Sequence, residues 1–300
     1  MTLQQQIRRN RLRSSIVVLG FVVLLLVLAG LVGLALDLSL GVIVLVIALV
    51  YALVAIFRSR SMISGITHAQ ALGPDELRPL RRLVENVSIG AGLPVTPEVR
   101  IVDDAAPNAF AAGLRPTSSY VGVTTGLLRT MPKRELEAVL AHEVSHIRNR
   151  DVRLMTLAAV LVGVVAMISD FAFRMAFFGG RGNNRNPVQL ISAIVALVLA
   201  PIAALLLQMA LSRRREFLAD ASAAAILNDA EAMALALRRL QLDTSEVAYA
   251  DRATAHLFIE SPTRAVRGLG GAMAGLFQTH PSLDDRIRAL EESGGFRLEG

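Results

Sequence analysis

Two long stretches near the N-terminus carry no charge, and that pattern organises the first sixty residues. Residues 14–36 and 38–57 form uncharged runs of about 23 and about 20 residues. About 20 apolar residues in a helix cross a hydrocarbon core roughly 30 Å thick. Arg8, Arg9, Arg11 and Arg13 precede the first run. A signal peptide has the same basic start, but this run exceeds the usual apolar region and a second follows at once. Asp37 and Ser39 mark a very short turn between them. The pattern predicts a transmembrane hairpin, closed by Arg58 and Arg60 on the side of the first arginines. By the positive-inside rule that side is cytoplasmic.

The pattern then changes to that of a soluble domain. Pro74, Asp75 and Glu76 suit a helix start. Leu77, Leu80, Val84 and Val87 repeat at helical spacing until Gly90, Gly92 and Pro94 end the segment. Residues 98–102, 108–112 and 120–124 read as short strands separated by Pro and Gly. A second helix begins at Pro132, with Leu136, Val139 and Leu140 on its apolar face. Residues 155–169 are apolar again, interrupted by Asp170 and Arg174, and 188–212 form an uncharged run of about 25 residues containing Pro201. The polar loop 179–184 separates them.

The run at 155–169 is short for a crossing, and Arg174, Arg181 and Arg185 argue against an outside loop. A membrane-spanning hairpin and a re-entrant one therefore both fit residues 155–212. Residues 213–300 are soluble in character, with a packing helix at 231–240 and a Gly- and Arg-rich loop at 261–275. No internal repeat is present. The chain divides into 1–60, 61–153, 154–212 and 213–300. The expected fold is α+β, mostly helical and membrane-anchored, with a small β-sheet and up to four transmembrane helices.

Composition agrees with this division. In 300 residues, 53% are hydrophobic, 19% are charged and mean hydropathy is +0.52. Those values are unlike a soluble globule. The net charge of +6 comes from 31 Lys and Arg against 25 Asp and Glu. The arginines flank apolar runs and only 5% of residues are aromatic, which disfavours nucleic acid as a partner. There is no cysteine, so a transition metal would have to use imidazole and carboxylate.

The chemistry centres on Ala141-His142-Glu143-Val144-Ser145-His146. Two histidines four apart lie on one helix face and can reach one ion, and the intervening Glu143 is placed as general base for hydrolytic water. Catalytic zinc takes three protein ligands and keeps one open position. Glu216, in Arg213-Arg214-Arg215-Glu216-Phe217-Leu218-Ala219-Asp220, is the candidate third ligand. Its alternative is a solvated acid paired with its neighbouring arginines. Asp220, one turn later, can orient a ligand imidazole. His146 lies nine residues before Met155 and Glu216 four after Ser212, about 13 Å and 6 Å along a helix. An out-and-back hairpin between them would return Glu216 to the histidine pair, whether it spans or dips. His68 and His256 stand alone and read as surface or packing histidines.

These segments resemble the HtpX family of bacterial membrane zinc proteases, which are gluzincins with a zincin-like catalytic domain. The likeness includes Asn149-Arg150-Asp151 after the motif, Pro107-Asn108-Ala109-Phe110-Ala111 before it, and His280-Pro281-Ser282-Leu283-Asp284-Asp285-Arg286-Ile287 near the C-terminus. The resemblance runs in order through nearly the whole chain. Phe217 stands where Tyr is common, and the loop at 179–187 is unusually rich in Gly and Asn.

The resemblance implies an endopeptidase with one Zn2+ per chain, acting in protein quality control and stress response on misfolded or membrane polypeptides. It implies residence in the bacterial inner membrane with the active site facing the cytoplasm. It also puts forward His280 and Arg286 as helpers at the developing oxyanion. Asn108 opens a strand that, if at a sheet edge, could hold extended substrate; an ordinary strand is the alternative. Other readings are a catalytically inactive membrane scaffold, which would usually lack Glu143, and a transporter, which would want ionisable groups deep within its spans.

Overall fold

The computed structural model describes residues 3–35, 38–71, 73, 78–178, 213–243, 245, 257–259 and 281–298. The expected helix start at 74–77, the loop at 179–187, the run at 188–212, the loop at 261–275, His256 and His280 lie outside the described residues.

Helices α1 (Leu3–Ala35) and α2 (Leu38–Phe57) pack on each other and on the long α7 (Asp151–Phe178). One face of α1 buries Val17, Phe21, Leu24, Leu25 and Leu28 against α2 and α7. The opposite face exposes Leu12, Ile16, Leu19, Val23, Leu26 and Val27. A contiguous apolar stripe of that size is costly in water and suits contact with acyl chains. The segment Arg8–Gly30 is long and apolar enough to cross a membrane. Among the described residues a second candidate span is a bent pair, Leu45–Phe57 with Ser59–Ile66, which turns by 76°. The second part of that pair is α3 (Ser59–Ile66).

The soluble part is built around a three-stranded sheet ordered β1 (Glu98–Val102), β3 (Tyr120–Thr124), β2 (Ala109–Ala112). β1 runs parallel to β3, with Val99 opposite Val121, and β2 runs antiparallel to β3, with Ala111 opposite Val121. Val, Ile and Tyr suit these strands because branched and aromatic side chains pack well on a pleated surface. Among the described strands β2 is at the edge, and residues 257–259 meet part of its outer side: the Ile259 N–H donates to the Ala109 carbonyl.

One core lies between the sheet and the helices around it. Leu80, Val84 and Val87 of α4 (Arg78–Gly90) pack there, as the spacing predicts, with Leu136, Val139 and Leu140 of α6 (Lys133–Arg148). Met233, Leu237 and Leu240 of α9 (Ala230–Leu242) and Ile287 and Leu290 of α10 (Leu283–Gly294) complete it. Each such side chain contributes about 1.5–3 kcal/mol when fully buried. A smaller cluster, with Phe110, Tyr120 and Phe258 beside Met155 and Ala159 of α7, joins this core to that helix. The cation of Arg100 lies 4.5 Å from the Tyr120 ring centroid and reinforces that junction.

The helix carrying His-Glu-x-x-His is enclosed along most of its length. Pro132 caps α6, and residues 138–147 are all buried. At its other end Asn149 is the C-cap, Arg150 takes a left-handed φ of 59°, and α7 starts at once with Asp151. That one-residue reversal puts the first carboxylate of α7 beside the last turn of α6. Helix α8 (Arg213–Leu227) packs along α6 from the other side.

Candidate metal centre

His142, His146 and Glu216 converge. Each offers one ligand atom, and these atoms lie within 4.8 Å of one another. The two Nε2 atoms are 3.1 Å apart; His142 Nε2 lies 3.8 Å and His146 Nε2 3.6 Å from a Glu216 oxygen. A tetrahedral ion with bonds of about 2.0–2.2 Å needs donor atoms about 3.3–3.6 Å apart. The observed distances bracket that value, and two imidazoles with one carboxylate form a donor set suited to a zinc-like ion.

The remaining ring nitrogens explain how both imidazoles face one point. His142 Nδ1 is 2.9 Å from Asp220, and His146 Nδ1 is 3.3 Å from Asp151. A carboxylate at Nδ1 holds the proton there and leaves the Nε2 lone pair for a metal. Asp220 is therefore where the sequence puts it. Arg286, entirely buried, makes a bidentate pair with Asp220 at 2.8 and 2.6 Å and donates to the Ile259 carbonyl. It also lies 3.6 Å from Glu216. Its guanidinium is thus committed to the carboxylates beside the histidines.

Glu143 is buried next to this set and accepts a hydrogen bond from the Ala111 N–H of β2. Asn108 is buried at the entry to β2. Its side-chain oxygen accepts from the Ala109 N–H, and its backbone pairs with Thr124 on both sides. His68 is exposed, as expected of a surface histidine.

The electrostatics follow from burial and partners. Burial dominates at His142 and pushes its pKa down to about 4 despite Asp220. At His146 burial is outweighed by Asp151, Glu216 and Glu143, which raise it to about 9. Burial lifts the Glu143 carboxyl to about 8, against the lowering effects of His146, Arg286 and the Ala111 N–H. Burial raises Asp220, but Arg286 and His142 more than offset it and hold its carboxyl below the ordinary range. Burying ions costs several kcal/mol each, repaid only by close partners, so a nest of seven buried ionisable groups is a feature of chemistry rather than of packing.

Sequence reasoning assigned no place in the site to three residues found here. Asp151 lies five residues past His146, just beyond the helix end; an acid following the motif at that distance is the available signal. Arg215 is buried, with Nε 3.9 Å from Asp151. Asn10 of α1 donates from Nδ2 to Asp151 at 2.6 Å and to the Asn149 carbonyl at 3.0 Å. Nothing local marks Asn10, which lies 141 residues from Asp151 in the chain.

Known proteins resemble this chain over most of its length. Residues 74–293 match the model of "Peptidase family M48". The chain is 37% identical over 299 residues to a "Protease HtpX homolog" of Streptococcus gordonii, covering 96% of this chain and 99% of the relative. It is 38% identical over 304 residues to the corresponding protein of Listeria monocytogenes, covering 96% and 98%. That of Lactobacillus helveticus is 39% identical over 303 residues, covering 97% and 99%. Among solved structures, the crystal structure of S. mikatae Ste24p aligns at a TM-score of 0.48 and 18% identity, over 89% of this chain and 61% of that one.

Proposed function

The chain belongs to the HtpX family of M48 peptidases and is a metalloprotease, and from that premise we propose that it is a membrane-bound, zinc-dependent endopeptidase with His142, His146 and Glu216 as ligands and Glu143 as general base. The observation that carries the reading is the meeting of three ligand atoms, with each imidazole locked by a carboxylate on its far nitrogen. A zinc ion there supplies Lewis acidity toward the scissile carbonyl and eases deprotonation of water. Glu143 takes the proton from attacking water and returns it to the leaving amine. Its buried, raised carboxyl suits a group that must hold and release a proton near neutral pH. Arg286 keeps Asp220 and Glu216 in place, and His280 donates to the oxyanion, as the family resemblance suggests. An extended polypeptide lies beside β2, past the part covered by residues 257–259.

The site faces the cytoplasm. Asn10 touches Asp151, so the metal centre lies at the end of α1 that carries exposed Arg8 and Arg9. By the positive-inside rule that end is cytoplasmic. Substrates reached from there are misfolded or membrane-embedded polypeptides.

The test is zinc content and casein cleavage by the full chain in detergent. Wild type and Glu143→Gln are expected to hold one zinc per chain, with kcat/KM of Glu143→Gln lower by about 10²–10⁴-fold. Glu216→Ala is expected to lose zinc occupancy. Equal cleavage by wild type and Glu143→Gln would remove Glu143 from its role, and full occupancy in Glu216→Ala would assign the third ligand elsewhere. A wild type that holds zinc yet cleaves nothing would favour an inactive scaffold.

A further inference from the structure

Asp151 stands where four helices meet. It is the first residue of α7, is fully buried, faces His146 of α6 at 3.3 Å and Arg215 of α8 at 3.9 Å, and receives the amide of Asn10 from α1 at 2.6 Å. Asn10 is itself buried, and both atoms within reach of its Nδ2 are oxygens, Asp151 Oδ1 and the Asn149 carbonyl. Only the amide nitrogen can face two acceptors, so the orientation of Asn10 follows from its surroundings. The side chain ties the carboxylate to the turn that ends the zinc helix. One Asp151 oxygen is held by Asn10, which leaves the other aimed at His146 Nδ1.

We infer that the start of the membrane helix α1 is a working part of the metal centre, with Asn10 a positioning residue that acts on His146 through Asp151. This rests on the zinc reading above. It makes the anchor more than a tether: the register of α1 against α7 sets how firmly one ligand imidazole is held. Residues that orient a ligand through its far nitrogen change metal affinity by about 10–100-fold when lost. Asn10, one step further out, belongs at the lower end of that range.

The experiment uses the full chain in detergent micelles, comparing wild type with Asn10→Asp and Asn10→Ala. Asn10→Asp keeps the shape but replaces the donor with a carboxylate facing Asp151; Asn10→Ala serves if that variant does not fold. Zinc Kd is measured by competition with a chromophoric chelator, and ligand geometry by the visible absorption of the cobalt-substituted protein. Expected results are a Kd raised about tenfold and a shifted cobalt band. Partial recovery is expected in the double variant Asn10→Asp with Asp151→Asn, where the new amide donates to Asp at position 10 and accepts from His146. Wild-type Kd and spectrum in both single variants would overturn the inference, even if their melting temperatures fall, because Asn10 would then only pack. A wild type that binds no zinc would remove the zinc reading itself, and this inference with it.

Discussion

The two imidazoles of the metal centre are alike covalently and opposite in charge preference. His142, held low at about 4, stays neutral at pH 7, while His146, raised to about 9 beside Asp151 and Glu216, is protonated before metal binds. Their Nε2 atoms lie 3.1 Å apart, close enough to share one proton. Zinc takes only neutral imidazole, so binding must expel the His146 proton. Calorimetric titration of the zinc-stripped protein in buffers of different ionisation enthalpy should show release of about one proton near pH 7.5, declining above pH 9. No release would mean that His146 is already neutral. The linkage to stability has a definite sign. A histidine pKa raised from 6.5 stabilises the fold most below pH 6.5, and that contribution is lost as pH rises through about 9. Glu143 is an acid raised rather than depressed, so its neutral form is favoured on folding, and stability falls as pH climbs from about 4.5 to about 8. Both effects make the zinc-stripped chain less stable toward alkaline pH.

Elements hold these residues by being rigid where they are buried. The short α5 (Thr125–Thr130) starts directly from β3, with the Thr124 side chain accepting from the Leu127 N–H. Gly126 donates to the Asp104 carbonyl, and a Cβ on it would stand 2.0 Å from the Ala105 carbonyl oxygen. Backbone cannot yield as a flexible side chain does. Gly126→Ala is therefore expected to destabilise by about 1–3 kcal/mol or more, read as a lower melting temperature of the zinc-loaded protein. Gly163→Ala on α7 is the matched control: a Cβ there meets nothing within 4 Å, and a helix-interior Gly→Ala change is expected to stabilise by up to about 1 kcal/mol. Equal losses in the two would mean that the clash is not the cause.

For the whole molecule the central feature is the joint between the apolar N-terminal helices and the core that carries the metal centre. The chain has no cysteine, which makes its orientation directly testable. His68, exposed just beyond α3, should lie on the cytoplasmic side, whereas Ser39, exposed at the start of α2, should lie at the opposite end. A membrane-impermeant maleimide should label Ser39→Cys in intact spheroplasts and His68→Cys only after permeabilisation. The reverse pattern would invert the topology and move the active site to the outer face.

Local signals were enough wherever a residue and its partner lie within a turn or two of chain. The uncharged runs, the α4 and α6 periodicities, the three strands and the histidine pair were all legible, because helix and strand geometry is repeated locally. The pairing of Glu216 with the histidines was argued from an out-and-back path between apolar segments, and the second half of that path lies outside the described residues. Three things were not legible. The 28-residue length of α7, which runs through Asp170 and Arg174, required knowing what surrounds it. The commitment of Arg286 to Asp220 required the fold, since 66 residues separate them. Asn10 meeting Asp151 depends on how α1 docks on α7. Charge pattern and periodicity determine which segments are helices and which residues are able to bind metal. Only packing decides which distant amide reaches which carboxylate, because hydrogen bonds form between neighbours in space and carry no mark in the order of the chain.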